Sequence, residues 1–89
     1  MALARRDWGV EMQSSKRQAL IHRLIELGEL PEHVEGVRMW GGPGSQRPCV
    51  TCGESIVVSA VEYELDVDGR TVVLCVPCYL AWRAQPTGA

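Results

Sequence analysis

"RPCVTCGES", residues 47–55, places two cysteines two residues apart, and "LCVPCYLAW", residues 74–82, repeats the spacing. Cys49, Cys52, Cys75 and Cys78 are the four cysteines of this 89-residue chain, in the order C-x2-C, twenty-two residues, C-x2-C. Two intervening residues let both sulfurs of a pair point into one site from a tight turn. Two such pairs supply four thiolates at about 2.3 Å to a tetrahedral Zn²⁺. Gly53, just after the first pair, suits a knuckle whose backbone turns through positive φ. The second pair falls at an expected helix start, where free N–H groups and the helix dipole favour thiolates. The spacing therefore points to one Zn²⁺ ion with four Cys ligands.

Other uses of the thiols fit less well. A thioredoxin-type redox pair needs a βαβ setting, and neither pair has one. Disulfides belong to oxidising compartments. An iron centre also takes four cysteines, and spacing alone does not separate it from zinc, although a helix at Cys78 suits a rubredoxin-like pair of knuckles less well. A catalytic zinc keeps three protein ligands and an open position for water, whereas four cysteines close the site. His33-Val34-Glu35 followed by Pro48-Cys49 and Cys52 nominally matches the zinc-deaminase signature. That match leaves Cys75 and Cys78 idle and asks a Gly/Pro-rich connection to build a sheet.

Between the cysteine pairs the pattern is that of two strands. Val61, Tyr63, Leu65 and Val67 alternate with Glu62, Glu64 and Asp66, as in a half-buried strand with one wet face. Asp68-Gly69 is a two-residue hairpin signal, because a type I′ turn needs positive φ at both central residues. Such a turn pairs Leu65 with Val72 and Tyr63 with Leu74 on one face, and Glu64 with Val73 and Asp66 with Thr71 on the other. Register and pattern agree. Pro77 suits a first helical position, and "CYLAWRAQ" runs on as a helix until Pro86.

Upstream, Ser15 and Gln18 read as a capping box. Ala19, Leu20, Leu24 and Leu27 recur at helical spacing, with Ile21 and Ile25 widening the stripe. Gly28 and Pro31 stop it, so an amphipathic helix is expected over 16–27. "LPEHVEG" has the makings of one further helical turn. "WGGPGSQRP", residues 40–48, holds three glycines and two prolines and reads as a loop. The expected organisation is a flexible arm at 1–13, a helical segment at 14–39, a Gly/Pro loop at 40–48, a metal-bearing unit at 49–85 and a tail at 86–89.

Charge narrows the partners. Residues 1–48 carry seven Lys/Arg against six Asp/Glu, and residues 49–89 two against five. A nucleic-acid binder shows a basic footprint, and the cysteine half has none. Lys16, Arg17 and Arg23 form the one basic cluster that serves a nucleic-acid alternative, and the same cluster also reads as a solvated helix face. His22 reads as a half-buried helix residue and His33 as solvated. Trp40 and Trp82 either cover the small core or anchor a partner. No apolar run approaches the ~20 residues of a membrane span, and "MALARRDWGV" lacks a signal-peptide core. The expectation is a cytoplasmic protein in a reducing compartment. A domain this small buries only about 60–65% of the surface its unfolded chain exposes, so a metal staple suits it.

Knuckle, β-hairpin and helix over residues 47–85 resemble the treble-clef zinc finger. The resemblance implies that Cys49 and Cys52 are knuckle ligands and that Cys75 and Cys78 come from the helix's first turn. "RMWGGPGSQRPCVTCGESI" with "VEYEL" is similar to a group of short bacterial proteins without an assigned activity, in which a leucine-rich helix precedes a W-G-G-P-G-S loop and a C-x-x-C-G finger. Bacterial zinc-finger regulators of RNA polymerase are similar in the finger alone, since their long coiled coil with acidic tip residues is missing here. The expected fold is a small α+β metal-stabilised domain, a treble clef preceded by an amphipathic helix. The expected function is that of a non-enzymatic interaction module for another protein, offering Glu62, Glu64, Asp66 and Trp82. The alternatives are nucleic-acid binding and thiol-based redox or zinc sensing. Oligomeric state is left open.

Overall fold

The computed structural model describes residues 14–85. The arm expected at 1–13, with Trp8, and the tail at 86–89 lie outside the described residues. Along the chain come α1 (Ser14–Glu26), β1 (Met39–Pro43), β2 (Val61–Val67), β3 (Arg70–Cys75) and α2 (Val76–Arg83). The strands form one antiparallel sheet in the order β1-β2-β3, giving a small α+β domain.

The hairpin has the register that its sequence pattern requires. Leu65 faces Val72, Tyr63 faces Leu74, Glu64 faces Val73 and Asp66 faces Thr71. Asp68 and Gly69 both take positive φ, 49° and 85°, as a type I′ turn demands. The Asp66 carboxylate accepts from the Gly69 N–H at 3.2 Å, an Asx-type bond that holds the turn. One face of the hairpin carries Leu65, Val67 and Leu74, all buried. On that side Tyr63 stacks on Tyr79 of α2, with ring centroids 3.7 Å apart and planes 13° from parallel. Trp82, one turn further along α2, is buried, and its indole N–H donates to the Pro31 carbonyl at 2.8 Å.

The second face departs from the expected wet surface. Glu62 is 5% exposed, and Val73, the partner of Glu64, is buried. Glu62 Oε1 accepts from Ser45, from its N–H at 3.0 Å and its hydroxyl at 2.8 Å. Arg47 reaches Glu62 at 2.7 Å and Glu64 at 2.6 Å, and donates to the Ser45 hydroxyl at 2.6 Å. Burial alone would push the Glu62 carboxyl up, but the donors from Ser45 and Arg47 outweigh it and hold the group below the usual carboxylate range.

Residues 40–48 also depart from the expected loop. Met39–Pro43 forms β1, pairing Met39 with Leu65, Gly41 with Tyr63 and Pro43 with Val61. Gly and Pro are poor strand formers, yet an edge strand needs only one hydrogen-bonded side and tolerates both. Gly41 fits because its missing side chain leaves room for the Tyr63 ring, which a Cβ would meet at 3.3 Å. Beyond the strand, Gly44 N–H bonds the Ala60 carbonyl, Gln46 N–H the Ile56 carbonyl and Ile56 N–H the Arg47 carbonyl, at 2.9, 2.9 and 3.0 Å. A Cβ on Gly44 would lie 2.0 Å from the Val57 carbonyl oxygen, so close backbone approach dictates this glycine.

Helix α1 begins at Ser14, so Ser15 is inside it rather than at its cap. Gln18 does not close a capping box. Its amide donates to the Ala81 carbonyl of α2 at 3.4 Å, and its oxygen accepts from Gln85. The buried face is centred on Ile21, with Leu24 and Ile25 packed against the core, while Leu27 is 61% exposed and Ala19 is exposed. The buried face keeps Ile21, Leu24 and Ile25 of the expected stripe and leaves out Ala19 and Leu27, and it is against α2 that α1 packs. Its end carries the Schellman bonds, Gly28 N–H to the Ile25 carbonyl at 3.0 Å and Glu29 N–H to the Leu24 carbonyl at 2.8 Å. Arg70, from the hairpin, caps the same end through the Gly28 carbonyl at 2.9 Å and Glu29 at 3.3 Å. Residues 30–36 make turns and not the further helical turn expected at "LPEHVEG". Leu30 is pulled into the core there, and the Pro31 carbonyl is turned to Trp82.

Candidate metal centre

Pro48 pairs with Ser55 across a tight turn whose ends are tied by the Cys49 N–H to Glu54 carbonyl bond at 2.9 Å. Inside it, the Gly53 N–H returns to the Cys49 carbonyl at 2.9 Å, and Gly53 takes φ +78°. This is the knuckle that the first pair of cysteines requires. The Val50 N–H donates to the Val73 carbonyl at 2.9 Å, fastening the knuckle to β3. That strand delivers Cys75 as the N-cap of α2, and Pro77 fits the first turn because its missing N–H has no helical partner to lose. Cys78 follows, buried in the same turn.

The four sulfurs lie within 4.8 Å of one another. Cys52 Sγ and Cys75 Sγ, from opposite pairs, are 3.8 Å apart. A tetrahedron with bonds of about 2.3 Å has edges of about 3.8 Å, so this spacing fits one ion shared by both pairs. The cysteines are therefore positioned to bind a single metal ion. Cys49 and Cys78 are buried, while Cys52 and Cys75 are half-buried.

Donors surround the cluster. The Thr51 N–H points at Cys49 Sγ at 3.4 Å. Arg17 of α1 sends its Nε–H to Cys78 Sγ, also at 3.4 Å. Thr51 Oγ1 is buried and has no protein partner. With protons alone to share, hydrogen bonds from Cys75 and Cys78 pull the Cys49 thiol far down. The same bonds, seen from the donors, push Cys75 up to about 12 and Cys78 further up. Four thiolates at this spacing thus need a cation to coexist.

Compared with protein-family models, curated proteins and solved structures, the chain finds no match.

The other residues singled out in the sequence scatter. Trp82 belongs to the core, because the loop at Pro31 closes over it. Glu62 and Glu64 are engaged by Arg47, and Asp66 holds the hairpin turn. Of the basic cluster, Lys16 and Arg23 are exposed on α1, whereas Arg17 is half-buried and turned to Cys78. His22 is exposed beside Glu26 at 3.7 Å, not half-buried, and His33 is exposed. The sequence reading missed Arg17 as a neighbour of the cysteines and Arg47 as the partner of the acidic strand. The i, i+4 step from Arg17 to Ile21 was the available signal for the first, since it sets Arg17 on the buried face of α1.

Proposed function

We propose that this chain is a non-enzymatic structural-zinc module, a treble clef with an added N-terminal helix, that presents a surface to another protein. The observation that carries this reading is the closed cluster of four sulfurs drawn from a knuckle and from the start of a helix. The order knuckle, hairpin, helix supports the treble clef. The helix at Cys75–Cys78 favours zinc over a rubredoxin-like iron site. Bound zinc supplies a crosslink whose apparent worth in finger peptides is ~10–16 kcal/mol at neutral pH. Four cysteines fill a tetrahedron, which speaks against a metal-bound water for catalysis.

The surface on offer shifts from the acidic strand to its neighbour. Trp40 is 54% exposed beside a cleft of about 210 Å³ lined by Gly41, Gly42, Pro43, Glu62 and Glu64. Val57, Val58 and Val61 are exposed as well. Trp is a frequent anchor at protein interfaces. The test has two parts. Metal analysis of the purified chain should return one zinc per molecule. A photo-reactive group at position 40 should crosslink one defined protein in native extract, and lose it when the metal is stripped. Purified material that is metal-free and well folded refutes the reading.

A second reading, thiol-based sensing, is favoured by the half-buried Cys52 and Cys75 with sulfurs 3.8 Å apart. Peroxide, with two protons from solvent, would take two electrons from these two thiolates, leaving a disulfide, two water molecules and a released zinc ion. Zinc release at peroxide doses that spare ordinary zinc fingers would favour it, and resistance at those doses would remove it.

A further inference from the structure

We infer that Arg17 is part of the metal site: the first helix lends its guanidinium to the tetrathiolate and so helps set how tightly the ion is held. The inference rests on the metal reading above. A zinc ion with four thiolates keeps a net charge of about −2, and a buried charge of that size needs compensation. Arg17 Nε lies 3.4 Å from Cys78 Sγ, sixty-one residues away in sequence. Cys78 is buried, so water reaches its sulfur poorly and a protein donor must serve instead. It belongs to neither the knuckle nor the hairpin, so the metal unit draws on an element outside itself.

The packing of α1 aims this side chain. Ile21, one turn on, is fully buried, and Leu24 and Ile25 pack on the core. Gln18, next to Arg17, donates to the Ala81 carbonyl of α2. These contacts fix the rotation of α1 against α2, and Arg17 and Cys78 meet across that seam. Donors to ligating atoms orient the ligand and tune the metal, and their loss typically costs 10–100-fold in affinity.

The experiment uses the full chain loaded with zinc, in competition with a chelator of known affinity. Arg17→Met keeps the apolar stem and should weaken zinc binding about tenfold or more. Arg17→Lys restores charge without the fork and should recover part of the loss. Gln18→Ala loosens the same helix seam without touching a sulfur and should leave affinity within about threefold of wild type. With Co²⁺ in place of zinc, the sulfur-to-cobalt charge-transfer band should move in Arg17→Met and stay in Gln18→Ala. An Arg17→Met affinity equal to wild type, or a Gln18→Ala loss as large with the band unmoved in both, overturns the inference while the metal reading stands. A wild-type chain that takes up no metal overturns both.

Discussion

Replacing Gly44 by Ala should destabilise the metal-loaded protein far more than the same change two residues earlier. The added Cβ would sit 2.0 Å from the Val57 carbonyl oxygen and 2.5 Å from that of Ile56. Comfortable carbon contacts lie at about 3.5–4.0 Å, so the two backbones must part by more than about 1 Å. Gly44 and Gln46 each donate across this seam at 2.9 Å, to Ala60 and Ile56. A shift of that size carries both bonds beyond hydrogen-bonding range, which ends near about 3.2 Å. Two backbone bonds at about 0.5–1.5 kcal/mol net each, with about 1–3 kcal/mol for forced overpacking, give a loss of about 2–6 kcal/mol. Each kcal/mol moves the midpoint of a domain this size by about 4–8 °C, so Tm should fall by at least about 8 °C. Gly42 is the control. A Cβ there meets nothing within 4 Å, and Gly42→Ala should be neutral or stabilising by up to about 1 kcal/mol. The assay is thermal denaturation followed by circular dichroism, with free zinc buffered at one value because bound metal shifts Tm by mass action. Equal midpoints for the two variants would refute the close approach of residues 44 and 57.

Cys75→Ala removes a ligand, and with it a crosslink of ~10–16 kcal/mol, as large as the ~5–15 kcal/mol net stability of a small domain. Metal stoichiometry should drop and amide dispersion over residues 49–85 should collapse in the NMR spectrum. Glu62→Gln should cost about 1–3 kcal/mol at neutral pH, because Arg47 loses one of its charged partners. The Glu62 carboxyl is held low when folded, so its share of stability is present above the ordinary carboxylate pKa and lost as pH falls through the lowered value. Denaturant titrations at saturating zinc should therefore show a wild-type-to-variant gap that is constant at pH 6–8, as estimated from the ordinary carboxylate pKa of about 4.3, and closes only in more acid solution. Trp82→Phe strips the N–H that binds the Pro31 carbonyl and shrinks a buried side chain. A loss of about 2–4 kcal/mol should appear in the same titration.

Local chemistry made much of this fold legible. The hairpin could be drawn to the residue because the turn at Asp68-Gly69 and the alternation of Tyr63, Leu65 and Val67 impose the same register. The knuckle could be drawn because Gly53 and the two-residue cysteine spacing admit few backbones. The α1 stop at Gly28 follows from a cap that acts within one turn. The misreadings share another cause. Glu62 reads as solvated until Ser45 and Arg47, fifteen to seventeen residues upstream, are brought onto it. "WGGP" reads as loop because its glycines and proline disfavour a strand, and β1 exists because β2 offers an open edge. Leu27 reads as core because periodicity reports that a helix has an apolar stripe but not which part of the stripe meets a partner.

Two closely spaced cysteine pairs, a tight hairpin between them and helices before and after were all readable along the chain. The spacing within each cysteine pair, the hairpin turn and the helix ends depend on residues within a turn of one another, where spacing and backbone preference leave little choice. That the two cysteine pairs meet, that Arg17 faces Cys78, that Arg47 covers the acidic strand and that Gly44 must lack a side chain emerge only from the folded arrangement. Each of these depends on contacts between segments ten or more residues apart. No local periodicity encodes such contacts, because they arise only when burial of the shared core sets the segments side by side.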